Sequence, residues 1–153
     1  MAAPHQPLPI PPLASRGRTA LTREELVAWG ERFGRAARPP LVVAISGDLG
    51  AGKTTLVQAI CRGYGVGGEV TSPTYAIVHE YVGALGTVYH LDLYRLERED
   101  ELTNVGWDEI VNAHALVLVE WAERAGSRLP PGHVPVDLEY VPGDPTRRLL
   151  LAG

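Results

Sequence analysis

The 153-residue sequence is short of several things at once: it has one cysteine, one methionine and one phenylalanine, and no long apolar run. With Cys61 alone, an intrachain disulfide and a cysteine metal cluster are both excluded, which fits a reducing compartment, so the expected location is the cytoplasm. A membrane-spanning helix needs about 20 consecutive apolar residues, and no such stretch occurs. The opening MAAPHQPLPIPPLASRG also lacks the charged start and unbroken apolar centre of an export signal. No membrane association is expected. Basic residues are scarce as well: 14 Lys and Arg stand against 18 Asp and Glu, a formal net charge of -4. Proteins that grip nucleic acid by themselves neutralise phosphates with clustered basic side chains. Any contact with RNA is therefore expected to run through a partner.

What is present is a globular composition, 45% apolar and 21% charged, of a size that suits one domain. Residues 1–18 carry five prolines and no apolar period, and read as a flexible tail ahead of a single domain at 19–153. TREELVAWGERFGRAA is expected to be a helix, with Thr22 as its N-cap, Glu25 completing a capping box, and Leu26, Trp29 and Phe33 on one face. It ends before Pro39-Pro40. LVVAIS (41–46) is a continuous apolar run rich in β-branched residues, the pattern of a strand buried on both faces.

The segment directly after that strand is the most informative in the chain. GDLGAGKTT contains the phosphate-loop pattern G-x-x-x-x-G-K-[ST], from Gly47 through Gly50, Ala51, Gly52 and Lys53 to Thr54. Glycines let such a loop turn tightly, so that backbone N–H groups point at phosphate oxygens and the next helix adds its positive N-terminal end. Lys53 is expected to bridge the β- and γ-phosphates, and Thr54 to place its hydroxyl on Mg²⁺. The helix that follows carries Leu56, Val57, Ile60 and Cys61 inward and stops near Gly63 or Gly65. Cys61 thus reads as a core residue.

Further along, TSPTYAIVHEYV and TVYHLDLYRL, joined by GALG, read as a hairpin with arms of about ten residues. DELTNVGWDEIVNAH gives one or two short helices. ALVLVEW (115–121) is a second buried strand, and VPVDLEYV with TRRLLLAG form an antiparallel pair around PGDP. The fold class is α/β: a mixed, phosphate-loop NTPase-like sheet flanked by helices, with antiparallel strands at its edge.

A phosphate loop needs a carboxylate at the end of a neighbouring strand for Mg²⁺ or its waters. Two fit. Glu120 ends ALVLV at the sheet edge where open α/β folds bind ligands; its bland reading is a solvated strand end. Asp92 lies between apolar neighbours in HLDLYRL, where burial demands a cation or hydrogen bonds; its bland reading is a salt bridge to Arg95. Ser72, Thr74 and Tyr75 of TSPTY are either a switch-like loop near the γ-phosphate or a strand entry. His79, His90 and His114 show no metal-ligand spacing and read as structural or surface groups. Trp107 and Trp121 read as anchors of the core or of an interface.

Taken together, GDLGAGKTT, SPTY, HLDLYRL, ELTNVGWDE and VEWAER, in this order and spacing over about residues 20–152, resemble the bacterial TsaE family. The resemblance implies a small ATPase that binds ATP and Mg²⁺. It implies assembly with the TsaB and TsaD proteins, which place the threonylcarbamoyl group on adenosine 37 of tRNAs reading ANN codons. By matching positions, Gly50, Ala51, Gly52, Lys53, Thr54 and Thr55 take the nucleotide phosphates. Thr54 and Glu120 take the metal, and Asp92 sits by the metal and the attacking water. Ser72 to Tyr75 become switch-like, and an arginine of the last strand, Arg147 or Arg148, lies near the nucleotide. The family's adenine-side threonine of the first helix aligns with Leu26 here, with Thr22 one turn earlier. The rival readings are a GTPase, which would need an N-K-x-D-like clamp that does not occur, a small-molecule kinase, which would need a lid for which no long helical insertion is present, and a nucleotide-gated assembly module whose output is binding, with hydrolysis only resetting it.

Overall fold

The computed structural model describes residues 18–48, 50–71 and 77–152. Its seven strands are β1 (Arg18–Thr22), β2 (Leu41–Gly47), β3 (Val78–Gly83), β4 (Gly86–Asp92), β5 (Leu116–Glu120), β6 (Val134–Val141) and β7 (Asp144–Ala152). Between them lie helices α1 (Arg23–Ala36), α2 (Lys53–Gly63), α3 (Asp100–Asn104) and α4 (Trp107–Val111), and a 3-10 stretch at Ala122–Arg128. The strands form one sheet in the order β1-β7-β6-β2-β5-β4-β3. β6, β2, β5 and β4 run parallel through its centre, while β3 on one side and β7 and β1 on the other are antiparallel.

β2 and β5 occupy the middle because their sequences are apolar on both faces, as parallel strands covered by helices require. Val43, Leu116 and Leu118 are fully buried against the α1 and α2 side, and Val117 and Val119 against the α3 and α4 side. Register then decides the site. Ile45 pairs with Glu120 and Glu120 with Asp92, so the phosphate loop and both carboxylates leave the sheet at one edge.

α1 starts as the capping box requires: the Thr22 hydroxyl accepts from the Glu25 N–H at 3.2 Å, and the Thr22 N–H donates to Glu25 Oε1 at 2.9 Å. Leu26, Trp29 and Phe33 are buried. α1 crosses α2 backbone to backbone; a Cβ on Gly34 would stand 2.1 Å from the Ile60 carbonyl oxygen, and one on Gly63 2.0 Å from that of Glu31. Cys61 is buried in this face, where desolvation pushes its thiol up to about 12 and makes it a packing residue. Trp107 is likewise core, its indole N–H donating to the Arg128 carbonyl at 3.0 Å.

Two features depart from the sequence reading. Arg18–Thr22 is a strand paired with β7, although the sequence reading gave this stretch no element of its own ahead of the helix. It is too short to carry a period, and only its partner strand defines it. The hairpin arms are also shorter than the expected ten residues, 6 in β3 and 7 in β4. β4 ends at Asp92 because that side chain accepts the Tyr94 N–H at 3.0 Å, closing an Asx turn that competes with the ladder. The motif HLDLYRL therefore spans a strand end and a turn, with Leu93 and Leu96 packed beneath.

Candidate phosphate site

The loop leaves β2 and enters α2 through three glycines at positive φ, Gly47, Gly50 and Gly52. Gly47 has no alternative, since a Cβ there would lie 1.9 Å from the Leu138 carbonyl oxygen. Gly52 opens the helix, its carbonyl accepting the Leu56 N–H at 2.9 Å. The 11-residue α2 thus aims its N-terminus at the loop.

Lys53 is only 5% exposed. Its Nζ donates to the carbonyls of Gly47 at 2.9 Å and Asp48 at 2.6 Å, and sits 4.0 Å from the Trp121 ring centroid. Burial pulls the ammonium below its ordinary range, and the charges of Glu123, Glu120, Asp48 and Asp92 work against that. Trp121 is the one non-glycine residue with positive φ among the described residues, at φ 56 and ψ 42. A left-handed tryptophan costs roughly 1–2 kcal/mol, and here it places the ring between Lys53 and Tyr94, whose ring centroid is 5.0 Å away.

Glu120 is not a solvated strand end; it is 2% exposed. Its Oε1 accepts the Thr54 hydroxyl at 3.0 Å and its Oε2 meets His90 Nε2 at 2.5 Å. Asp92 opens into the same space. Burial raises its carboxyl above the ordinary range and Glu120 adds to that, while the Tyr94 N–H, His90 and Lys53 oppose. No group of three or more His, Cys, Asp or Glu among the described residues is arranged to hold a metal. The set that is present, one hydroxyl and two carboxylates, consists of hard oxygen donors, which fits an ion such as Mg²⁺ that draws the rest of its shell from phosphate and water.

Two cavities flank the loop and share Gly50, Gly52 and Thr55. One, of about 380 Å³, is lined by Lys53, Thr54, Asp92, Tyr94, Glu120 and Trp121. The other, of about 320 Å³, is lined by Thr22, Arg23, Leu26, Ala51, Pro145, Thr146 and Arg148. Thr22 and Leu26 both face it.

The structure thus brings together Gly50, Gly52, Lys53, Thr54, Thr55, Asp92 and Glu120, with Ala51 on the loop's other side. It separates Arg147, which lines neither cavity. That guanidinium lies 3.4 Å from Glu25 Oε1, 3.3 Å from the Ala20 carbonyl and 3.6 Å from Asp144, outside the loop. Of the two arginines considered, Arg148 is the one at the cavity, stacked 4.6 Å from the Tyr140 ring centroid. Neighbouring residues of β7 alternate in facing, and Arg148 pairs with Tyr140 of β6 and Leu21 of β1. Ser72, Thr74 and Tyr75 lie outside the described residues. His90, read as structural or surface, is buried against Glu120 Oε2, and Trp121, read as an anchor of the core or of an interface, lines the phosphate cavity. Strand alternation carried a signal for His90, since H-x-D puts it on the face of Asp92.

A glycine loop between a central parallel strand and a helix, backed by a buried lysine, hydroxyl and carboxylate, defines a phosphate-loop α/β protein. The match to known proteins narrows that class. The family model for the threonylcarbamoyl adenosine biosynthesis protein TsaE matches residues 20–149. The chain is 42% identical over 100 residues to the tRNA threonylcarbamoyladenosine biosynthesis protein TsaE of Haemophilus influenzae, a match covering 65% of this chain and 63% of that one. To the TsaE protein of Treponema pallidum it is 36% identical over 129 residues, 84% of this chain and 94% of the relative. The crystal structure of Bacillus subtilis YdiB superposes with a TM-score of 0.71 at 30% identity, covering 89% of this chain and 84% of that one. The chain belongs to the TsaE family, as the resemblance of its motifs implied.

Proposed function

We propose that the chain is a Mg²⁺-dependent ATPase, a single domain over 19–153, that acts with TsaB and TsaD in forming N6-threonylcarbamoyladenosine at position 37 of tRNAs reading ANN codons. The observation that carries this reading is the pair of cavities sharing one phosphate loop. The side with Leu26, Ala51, Pro145 and Arg148 suits a nucleoside, and the side with Lys53, Thr54, Asp92 and Glu120 suits a terminal phosphate. The relatives' names supply the pathway.

In this reading the backbone N–H groups of Gly50 to Thr55 cradle the phosphates, and Lys53 exchanges the carbonyls of Gly47 and Asp48 for phosphate oxygens. Thr54 and Glu120 hold Mg²⁺, which when bound supplies positive charge to the phosphates. Asp92 orients the attacking water and accepts its proton. Ser72, Thr74 and Tyr75 act as a switch-like segment, and of Arg147 and Arg148 it is Arg148 that takes the arginine role beside the nucleotide.

Lys53 is the only cation lining the phosphate cavity among the described residues. A site with so little positive charge is slow by itself, and an arginine supplied by a partner is worth about 10³–10⁵ in rate. The net charge of -4 fits a cytoplasmic protein that meets tRNA through its partners. No helix among the described residues is long and apolar enough to cross a membrane. The test is ATP turnover and threonylcarbamoyladenosine content of tRNA with the chain alone, with TsaB and TsaD alone, and with all three. Weak turnover alone and multi-turnover modification only in the full mixture are expected; full modification without this chain would refute the reading.

A further inference from the structure

His90 is fully buried on β4, beside Leu118 of β5 in register, yet it is a polar ring where an apolar one would pack. Its Nε2 is 2.5 Å from Glu120 Oε2, and its Nδ1 has no hydrogen-bond partner among the described residues. Two bare lone pairs would repel at that distance, so the proton lies on Nε2, which donates. A proton on Nδ1 would be a buried donor without an acceptor, which is costly, whereas a bare ring nitrogen there loses far less. The opposite oxygen of the same carboxylate, Oε1, takes the Thr54 hydroxyl at 3.0 Å. The two oxygens of Glu120 therefore have different duties: one is anchored to the sheet, the other faces the loop.

We propose that His90 is a positioning residue for the metal side of the site: its Nε2–H holds Glu120 Oε2 and so presents Oε1, beside the Thr54 hydroxyl, to Mg²⁺. Without that donor, the carboxylate rotates about its terminal torsion, and Oε2 is left buried and unpaired. Groups that orient a metal-side carboxylate through its second oxygen typically change metal affinity by about 10–100-fold when removed. The inference rests on the assignment of Thr54 and Glu120 to Mg²⁺, and its test separates the two.

ADP binding is measured by calorimetry, with and without Mg²⁺, for the unchanged chain, His90→Leu and His90→Gln, whose side-chain amide N–H can stand where Nε2–H stands. The expected result is that Mg²⁺ tightens ADP binding in the unchanged chain and in His90→Gln. In His90→Leu about tenfold or more of that tightening is lost, while binding without Mg²⁺ is unchanged. An intact Mg²⁺ effect in His90→Leu, or equal loss in His90→Gln, overturns the positioning role alone. No Mg²⁺ effect in the unchanged chain overturns the metal assignment beneath it. If His90→Leu does not fold, the ring of the unchanged, metal-free protein decides: ¹⁵N NMR is expected to find the proton on Nε2, and a bare Nε2 overturns the proposal.

Discussion

Two carboxylates of this protein are held by similar partners and end in opposite roles. Glu120 has the Thr54 hydroxyl, His90 and a nearby Lys53; the Glu25 carboxylate has the Thr22 N–H and the Arg147 guanidinium, while the Glu25 backbone N–H donates to the Thr22 hydroxyl. The Glu120 side chain is 3% exposed and the Glu25 side chain 54% exposed. A charge in water needs no particular partner, so the Glu25 cluster serves to start helix α1. A charge out of water must be matched, and a matched site with an open cavity beside it can exchange its partners for a ligand. The difference lies in burial and in the neighbouring loop, not in residue type.

The contrast can be broken at several points. Lys53→Ala removes the buried cation, and ATP turnover in the presence of the partners is expected to fall about 10²–10³-fold, with weaker ATP binding by calorimetry; undiminished hydrolysis would take the loop out of the mechanism. Asp92→Asn is expected to cost about 10²-fold in turnover, the usual worth of a positioned base. The same change should raise the melting temperature of the metal-free protein at neutral pH. The folded-state pKa of Asp92 is raised, so its ionisation opposes folding above its ordinary 3.8, and the gain from asparagine should vanish below that pH. A lower melting temperature at neutral pH would contradict the assignment.

On the exposed side the effects are smaller. Thr22→Ala is expected to cost about 1 kcal/mol in a denaturant titration, as for other helix caps. Glu25 has its pKa held below the ordinary 4.5, first by the Thr22 N–H and hydroxyl and only lastly by Arg147. Its contribution is therefore present above pH 4.5 and lost as pH falls through the lowered value. Arg147→Ala should alter stability least of all and only at low salt, because its ion pair is exposed.

The same contrast explains what could be read from the chain beforehand. Strand, loop and helix around Lys53 were legible because fixed spacing, glycines and apolar runs are local features. Glu120 and Asp92 were legible because each ends or interrupts an apolar strand, where a charge needs a reason. Which of Arg147 and Arg148 reaches the cavity beside the loop was not legible, because the facing of β7 depends on its pairing with β6 and β1, which is not local. His90 was passed over because it was weighed for metal-ligand spacing and not for the strand face it shares with Asp92. Trp121 gave no warning, since nothing in VEWAER announces a left-handed tryptophan.

The most direct measurement sets the two carboxylates side by side. ATP turnover with TsaB and TsaD, and the melting temperature, are recorded for Glu120→Gln and Glu25→Gln. A crossed result is expected: Glu120→Gln folds but loses about 10²-fold or more in turnover, whereas Glu25→Gln keeps its turnover and loses only a little thermal stability. Turnover preserved in Glu120→Gln, or lost equally in Glu25→Gln, would contradict it.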